Sequence, residues 1–340
     1  MCRRGALWQQ GFQSDLKEPF LMITPNSIVG GRYRIVRVLG GGGMKLAYAA
    51  QDLRLATRLC ALAEMVDSFT SQEAQRKAIE AFQREAEILA QLSNQHIPQV
   101  FDCFSEANHH YLVMELIDGT TLENELARNE GKLPADRVVE VALEVLEALQ
   151  YLHARMPPLI HRDLKPSNLM TTKDGQLKLI DFGIARHFVA NIRVTMVGTH
   201  GYAPPEQYAG RPEPRSDLYS LAATMYQALS GRDPTTEAPF RFPPLRSYRS
   251  DLSPKLITAI ERALAYEITN RPHDAEAFRQ QLLACRAPAF QSLSAASPST
   301  LASTAPTAKL IYAEHEPTDQ WTGARYPRKR PRGLTRSGIK

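Results

Sequence analysis

The chain has 340 residues, 43% hydrophobic and 23% charged, the composition of a soluble globular protein long enough for one two-lobed domain or two ordinary ones. No apolar run approaches the roughly 20 residues of a membrane helix, and MCRRGALWQQGFQSDLKEPF lacks the apolar core of a signal peptide. The net charge of +5 belongs to the end of the chain: from Arg286 onward nine Lys/Arg face three Asp/Glu, leaving −1 before it, which argues against a nucleic-acid-binding face.

Residues 1–29 read as an N-terminal extension, expected to be unstructured; Met22, opening MITPNSIVGGRYRIV, is an alternative translation start. RYRIVRVL alternates Tyr33, Ile35 and Val36/Val38 with arginines, as a half-buried strand does. After the glycine run, KLAYAAQ and TRLCALAEMV predict two more strands joined by a polar turn at Asp52–Arg54. SQEAQRKAIEAFQREAEILAQL places Ile79, Phe82, Ala86, Leu89 and Leu92 at helical spacing, with Glu85 on their inward face. IPQVFDCFSEANHHYLVMELID predicts a hairpin with its turn at SEANHH, so that His109 and His110 are expected to be exposed turn residues. A long amphipathic helix follows from Asp136 to Arg155, then a loop-rich stretch, then helices from SDLYSLAATMYQAL onward.

A β-rich first third followed by a mainly helical remainder is an α+β plan with two lobes. The tail, 286–340, begins with the Ala/Ser/Thr/Pro-rich APAFQSLSAASPSTLASTAPTAKL and ends in the basic ARYPRKRPRGLTRSGIK. The first part buries too little apolar surface to offset its ordering entropy, and the second is expected to be solvated or to touch an anionic surface. Cys2, Cys60, Cys103 and Cys285 form no CxxC pair, which argues against a zinc ribbon or a disulfide framework and suits a reducing cytoplasm. They read as small apolar residues in or near a core.

The most specific stretches are IHRDLKPSNLM, 160–170, and LKLIDFGIAR, 177–186. Asp163, Asn168 and Asp181 supply the hard oxygen donors that Mg²⁺ prefers when it also holds phosphates. Asp163 can accept a hydroxyl proton, and Lys165 can reach a phosphoryl group in flight.

With HRDLKxxN at 161–168, DFG at 181–183 and GTHGYAPPEQY at 198–208, the chain from Arg32 to Leu283 resembles protein kinases, and more closely the bacterial serine/threonine kinases of eukaryotic type. The resemblance implies a bilobal kinase domain at 30–285, with an N-lobe to about 115 and a C-lobe from about 118, and ATP in the cleft between them. It implies Asp163 as the base, Lys165 on the transferred phosphoryl, Asn168 and Asp181 on magnesium, and Glu85 positioning a lysine on the α- and β-phosphates. It further implies a nucleotide site formed by Leu39, Gly40, Gly41, Gly42, Gly43, Ala47 and Ala61, with Met114 as gatekeeper and the backbone of Glu115 and Ile117 on the adenine. Glu206 and Arg271 are the expected structural pair, and Asp217 the C-lobe aspartate. The implied substrates are proteins with Ser/Thr acceptors. Between the anchors lies the activation segment, with Thr195 as a phosphoacceptor able to pair with Arg162 and Thr199 positioning substrate.

Two positions depart from the family pattern. Its strand-three VAIK is here CALA at 60–63, so Ala63 stands where the lysine should, and the third glycine of the glycine loop is Lys45. Neither a P-loop, which needs GK[ST], nor a dinucleotide fingerprint, which needs a following helix, fits this run. The with-no-lysine kinases supply the missing charge from that same loop position, and Lys45 is similar to theirs. The reading is then an active cytoplasmic kinase using Lys45. The competing one is a pseudokinase scaffold whose Lys45 faces solvent, and a third takes the basic tail as a membrane or nucleic-acid tether.

Overall fold

The computed structural model describes residues 22–42, 45–55, 58–65, 71–107, 109–181 and 199–285. Six antiparallel strands form the first sheet: β1 (Ile28–Val29), β2 (Tyr33–Gly42), β3 (Lys45–Asp52), β4 (Leu59–Met65), β5 (Val100–Glu106) and β6 (His109–Glu115). Their order across it is β1-β2-β3-β4-β6-β5. The predicted alternation holds in β4, where Cys60, Leu62 and Glu64 are buried on one face and Ala61 and Ala63 are half-buried on the other. In β2 two register shifts, between Ile35 and Arg37 and between Val38 and Gly40, interrupt the alternation. Val36 is consequently exposed while Tyr33 and Ile35 are buried.

The outer face carries its own small core, including Tyr33, Ile35, Tyr48, Cys60, Leu62, Tyr111 and Val113. The other face meets α1 (Gln72–Ala90), whose buried Ala78, Phe82, Ala86 and Leu89 recur at the spacing of one helical face. Glu85, on that face, is only 2% exposed.

The expectation for the two histidines is corrected. The hairpin closes between Glu106 and His109, so both histidines belong to β6 and not to a turn. His109 is exposed, as expected, with its Nδ1 2.7 Å from the buried Glu64 carboxylate, whereas His110 is buried, its Nδ1 2.7 Å from Ser105 Oγ. Cys60 is buried and Cys285 packs against the larger core, as small apolar residues do, but Cys103 is exposed on the edge strand β5.

After β6 the chain forms β7 (Gly119–Thr121), α2 (Leu122–Arg128) and α3 (Ala135–His153). β7 pairs with β8 (Leu169–Thr172) and β8 with β9 (Leu177–Leu179) in a three-stranded sheet that the sequence pattern did not reveal. The short α4 (Pro205–Tyr208) precedes α5 (Pro214–Ser230), α6 (Pro254–Ala263) and α7 (Ala275–Leu283). A capping box between Glu213 and Ser216 starts α5, and Gly231 ends it at φ 74°, a left-handed conformation that glycine adopts without penalty. Almost every side chain of α5 is buried, Asp217 included, which makes it the axis of the helical half. No helix of the described residues is long and apolar enough to cross a membrane.

Candidate active site

The HRDLKPSN segment follows α3 after the connection 154–160 and reaches β8 through a 3-10 turn at Pro166–Asn168. Its backbone is held from below by α5. Asp217 accepts the His161 N–H on Oδ2 at 2.9 Å and the Arg162 N–H on Oδ1 at 2.8 Å, while His153 Nε2 lies 2.8 Å from Oδ2. Burial works against charge on Asp217, yet the His153 hydrogen bond, the fields of both histidines and the Arg162 N–H together hold its carboxyl below the ordinary range. Arg162 takes the left-handed conformation, φ 69°, and its carbonyl accepts from Gln207 Nε2 at 2.8 Å. So anchored, the loop presents its acidic residue in one orientation.

Asp163 is 3% exposed. Asn168 Nδ2 donates to its backbone carbonyl at 2.8 Å and to Oδ2 at 3.0 Å, and Thr199 Oγ1 donates to Oδ1 at 2.7 Å. Lys165 Nζ closes the ring, 2.9 Å from Thr199 Oγ1 and 3.1 Å from Asp163 Oδ2. A carboxylate, an ammonium and a hydroxyl therefore meet at one point, as proton acceptance from an alcohol beside an anionic group requires.

Asp181 follows β9 at φ 58°, a conformation that costs a non-glycine residue about 1 kcal/mol or more. The Ile180 N–H donates to the Asn168 carbonyl at 2.9 Å, which brings Asp181 beside Asn168. Because the Asn168 amide nitrogen is committed to Asp163, its carboxamide oxygen, with only a 3.4 Å bond from Ser167 Oγ, is the face left for a cation. One carboxylate and one amide oxygen fit magnesium, which keeps waters and completes its shell with phosphate. Among the described residues no cluster of three or more His, Cys, Asp or Glu forms an all-protein metal cage.

On the sheet side, Met114 pairs with Ala61 and Val100, at the end of β6 where Glu115 and Ile117 follow. Leu39, Gly40, Gly41 and Gly42 all lie in β2, so these three glycines belong to a strand pair. Ala47 pairs with Ala63, Ala49 with Ala61, and Lys45 with Gly42 and Met65. Residue 45 thus shares register parity with Ala47 and Ala49 and with the row that contains Ala63. The Lys45 side chain, Gly43, the Phe and Gly of the DFG motif, and Thr195 lie outside the described residues.

The expected pair Glu206–Arg271 is present and bidentate, at 2.7 and 3.1 Å, with the Arg271 side chain 0% exposed. Arg162 is different. Burial pushes its guanidinium down to about 10, against the field of Asp217, and its Nε is buried without a hydrogen-bond partner among the described residues. Sequence reasoning missed His153 as a partner of Asp217, Gln207 as a support of the Arg162 carbonyl, and an ion pair between Lys178 and Glu115. A lone histidine at a helix end, a glutamine and a strand lysine carry no local signal of such partners.

Comparison with known proteins agrees with this geometry. The family described as Protein kinase domain matches residues 33–283. Serine/threonine-protein kinase C of Synechocystis sp. is 35% identical over 276 residues, covering 77% of this chain and 51% of its own length. Serine/threonine-protein kinase PknA of Nostoc sp. is 33% identical over 259 residues, covering 72% and 45%. The chain thus spans about half the length of these curated relatives. Among solved structures, the PknI kinase domain of Mycobacterium tuberculosis superposes with a TM-score of 0.64 at 28% identity, over 78% of this chain and 100% of that one.

Proposed function

The chain belongs to the protein kinase domain family, and from that premise we propose that it transfers the γ-phosphoryl group of ATP to serine and threonine hydroxyls of proteins, with Lys45 replacing the absent strand lysine at Ala63. The observation that carries this reading is the hydrogen-bonded set Asp163, Lys165, Asn168 and Thr199. A site that had drifted from catalysis would have no need to keep a buried carboxylate, its ammonium and its amide clamp in one ring.

In this reading Asp163 receives the proton of the acceptor hydroxyl, oriented by Thr199, and Lys165 offsets charge on the phosphoryl oxygens. Asn168 and Asp181 would hold magnesium, which when bound neutralises the phosphate oxygens. The peptide groups of Glu115 and Ile117 grip the adenine below Ala61, with Met114 closing the back of the site. Lys45 bridges the α- and β-phosphates and Glu85 orients it; register parity with the alanine row supports this, since lysine acts as a point charge whose attachment can move. The half-buried Arg162 would receive a phosphate on Thr195. The kinase domain is taken as 30–285, flanked by the extension 1–29, whose last two residues are not unstructured but add β1 to the domain's sheet, and by the tail 286–340. The setting is cytoplasmic, and the basic tail touches anionic surfaces.

Ala63 and Ala47 together favour one second reading, a pseudokinase that binds nucleotide and signals by contact. ATP/Mg²⁺ turnover by the wild type, Lys45→Ala, Ala63→Lys and Asp163→Asn separates the two. Loss of activity in Lys45→Ala and Asp163→Asn supports the kinase with a relocated lysine; a wild type without turnover supports the scaffold. A Lys45→Ala variant as active as the wild type would remove Lys45 from the mechanism.

A further inference from the structure

Lys178 is the middle residue of β9, three residues before Asp181, and its side chain is only 9% exposed. Its Nζ donates to Glu115 Oε2 at 2.9 Å. Glu115, 35% exposed, is the last residue of β6. The same Oε2 accepts from the Gln99 N–H at 3.2 Å, and the Glu115 N–H donates to the Gln99 carbonyl at 2.8 Å. Glu115 is therefore held at both its peptide nitrogen and its carboxylate. β9 is held in turn on either side of Lys178: the Leu179 N–H donates to the His96 carbonyl at 2.8 Å, and His96 Nδ1 lies 2.9 Å from the Leu177 carbonyl.

An ammonium so nearly removed from water loses hydration that a single, partly exposed carboxylate only partly restores. An apolar side chain of similar length would fill the same space at lower cost, so stability alone is a poor reason for a lysine there. What the lysine adds is direction. It ties the peptide proposed to meet the base to the strand that leads to Asp181. Hydrogen-bond donors and acceptors discriminate a base edge only when they are aligned.

We propose that Lys178 is a positioning residue for nucleotide recognition: its ion pair with Glu115 fixes the hinge, the 114–117 segment proposed to meet the base, relative to the strand leading to Asp181, and so sets affinity for adenine over guanine nucleotides. This rests on the reading above that the hinge meets the base. Lys178 touches neither substrate nor reacting atoms in it.

The test is steady-state kinetics with ATP and GTP, and calorimetric binding of both nucleotides, on the wild type, Lys178→Met, Lys178→Arg and Glu115→Gln, each checked for cooperative thermal unfolding. Lys178→Met, whose side chain suits a buried site, is expected to raise KM and Kd for ATP about tenfold, to leave kcat at saturating ATP within about twofold, and to narrow the ATP-over-GTP preference. Glu115→Gln should shift the same quantities in the same direction, and Lys178→Arg should stay near the wild type. A Lys178→Met variant that melts earlier yet keeps the wild-type KM, Kd and base preference would overturn the inference and leave the pair a structural contact. So would a fall in kcat with KM unchanged. A wild type that bound neither nucleotide would overturn the hinge reading itself.

Discussion

Thr199 Oγ1 donates to Asp163 Oδ1 across 2.7 Å, although 36 residues separate them in the chain. The same hydroxyl accepts from Lys165 Nζ at 2.9 Å, so one side chain links the proposed base to the proposed phosphoryl-stabilising cation. Thr199→Ser keeps this bridge and Thr199→Val keeps only its shape. The serine variant is expected to retain most activity and the valine variant to lose about a hundredfold in kcat, the usual scale for a misaligned proton acceptor. Peptide phosphorylation rates at saturating ATP decide it.

Ala47 stands where the resembling family has a valine, and it pairs directly with Ala63. If the charge comes from Lys45, two positions along β3, a branched side chain at 47 crowds its path. Restoring valine should then harm the enzyme: Ala47→Val is expected to lower kcat/KM for ATP about tenfold in the wild-type background. It should do little when Lys45→Ala is combined with Ala63→Lys. Equal losses in both backgrounds would mean that 47 acts on the base and not on the lysine.

Among the described residues Arg271 is the largest fully buried side chain, and besides its two bonds to Glu206 it donates to the carbonyls of Ala265, Arg215 and Tyr266. Arg271→Met leaves three carbonyls without their donor and the Glu206 carboxylate with the Ser216 hydroxyl but no cation, and removing one partner of such a pair costs about 3–5 kcal/mol. In a domain of this size that is a fall in Tm of roughly 10 °C. Differential scanning calorimetry is the check, with a surface change such as Arg84→Lys as the comparison.

Burial lowers the affinity of His161 for a proton. The unfolded chain binds that proton as pH falls through about 6.5 while the folded chain does not, so the unfolded state gains and stability drops below that pH. Asp217 adds a second loss, with the stability it contributes present above about pH 4 and lost as pH falls further. Urea midpoints between pH 7.5 and 5 should therefore decline, and His161→Gln should flatten that decline. An unchanged slope in the variant would assign the decline to other groups.

Much of the sheet was legible because β4 and α1 keep the periods of 2 and 3.6 over whole elements, and Glu85 could be placed inward from Phe82 and Leu89 alone. The acidic and amide residues of the site were legible from their order and spacing. His109 and His110 were misread as turn residues because SEANHH is a polar run of turn-forming composition, yet pairing of Glu106 with His109 leaves a tight connection in which Ala107 takes φ 48°. Burial of His110 depends on Ser105 across the hairpin and on Phe82 of α1, neither of which is a local signal. The same holds for Lys178 with Glu115 and for His153 with Asp217, whose partners lie 63 and 64 residues away.

β4 lends one side chain in two to each of two separate interiors: Cys60 and Leu62 to the outer cap, Met65 and Ala63 to the body that contains the helical half. Gaining or losing a single amino acid midway along this strand would exchange the two sets, pushing the Glu64 carboxylate toward the face proposed to meet ATP and a methyl group among Tyr48, Tyr111 and His109. Descendants of this sequence are therefore free to vary the strand by replacement but not by length.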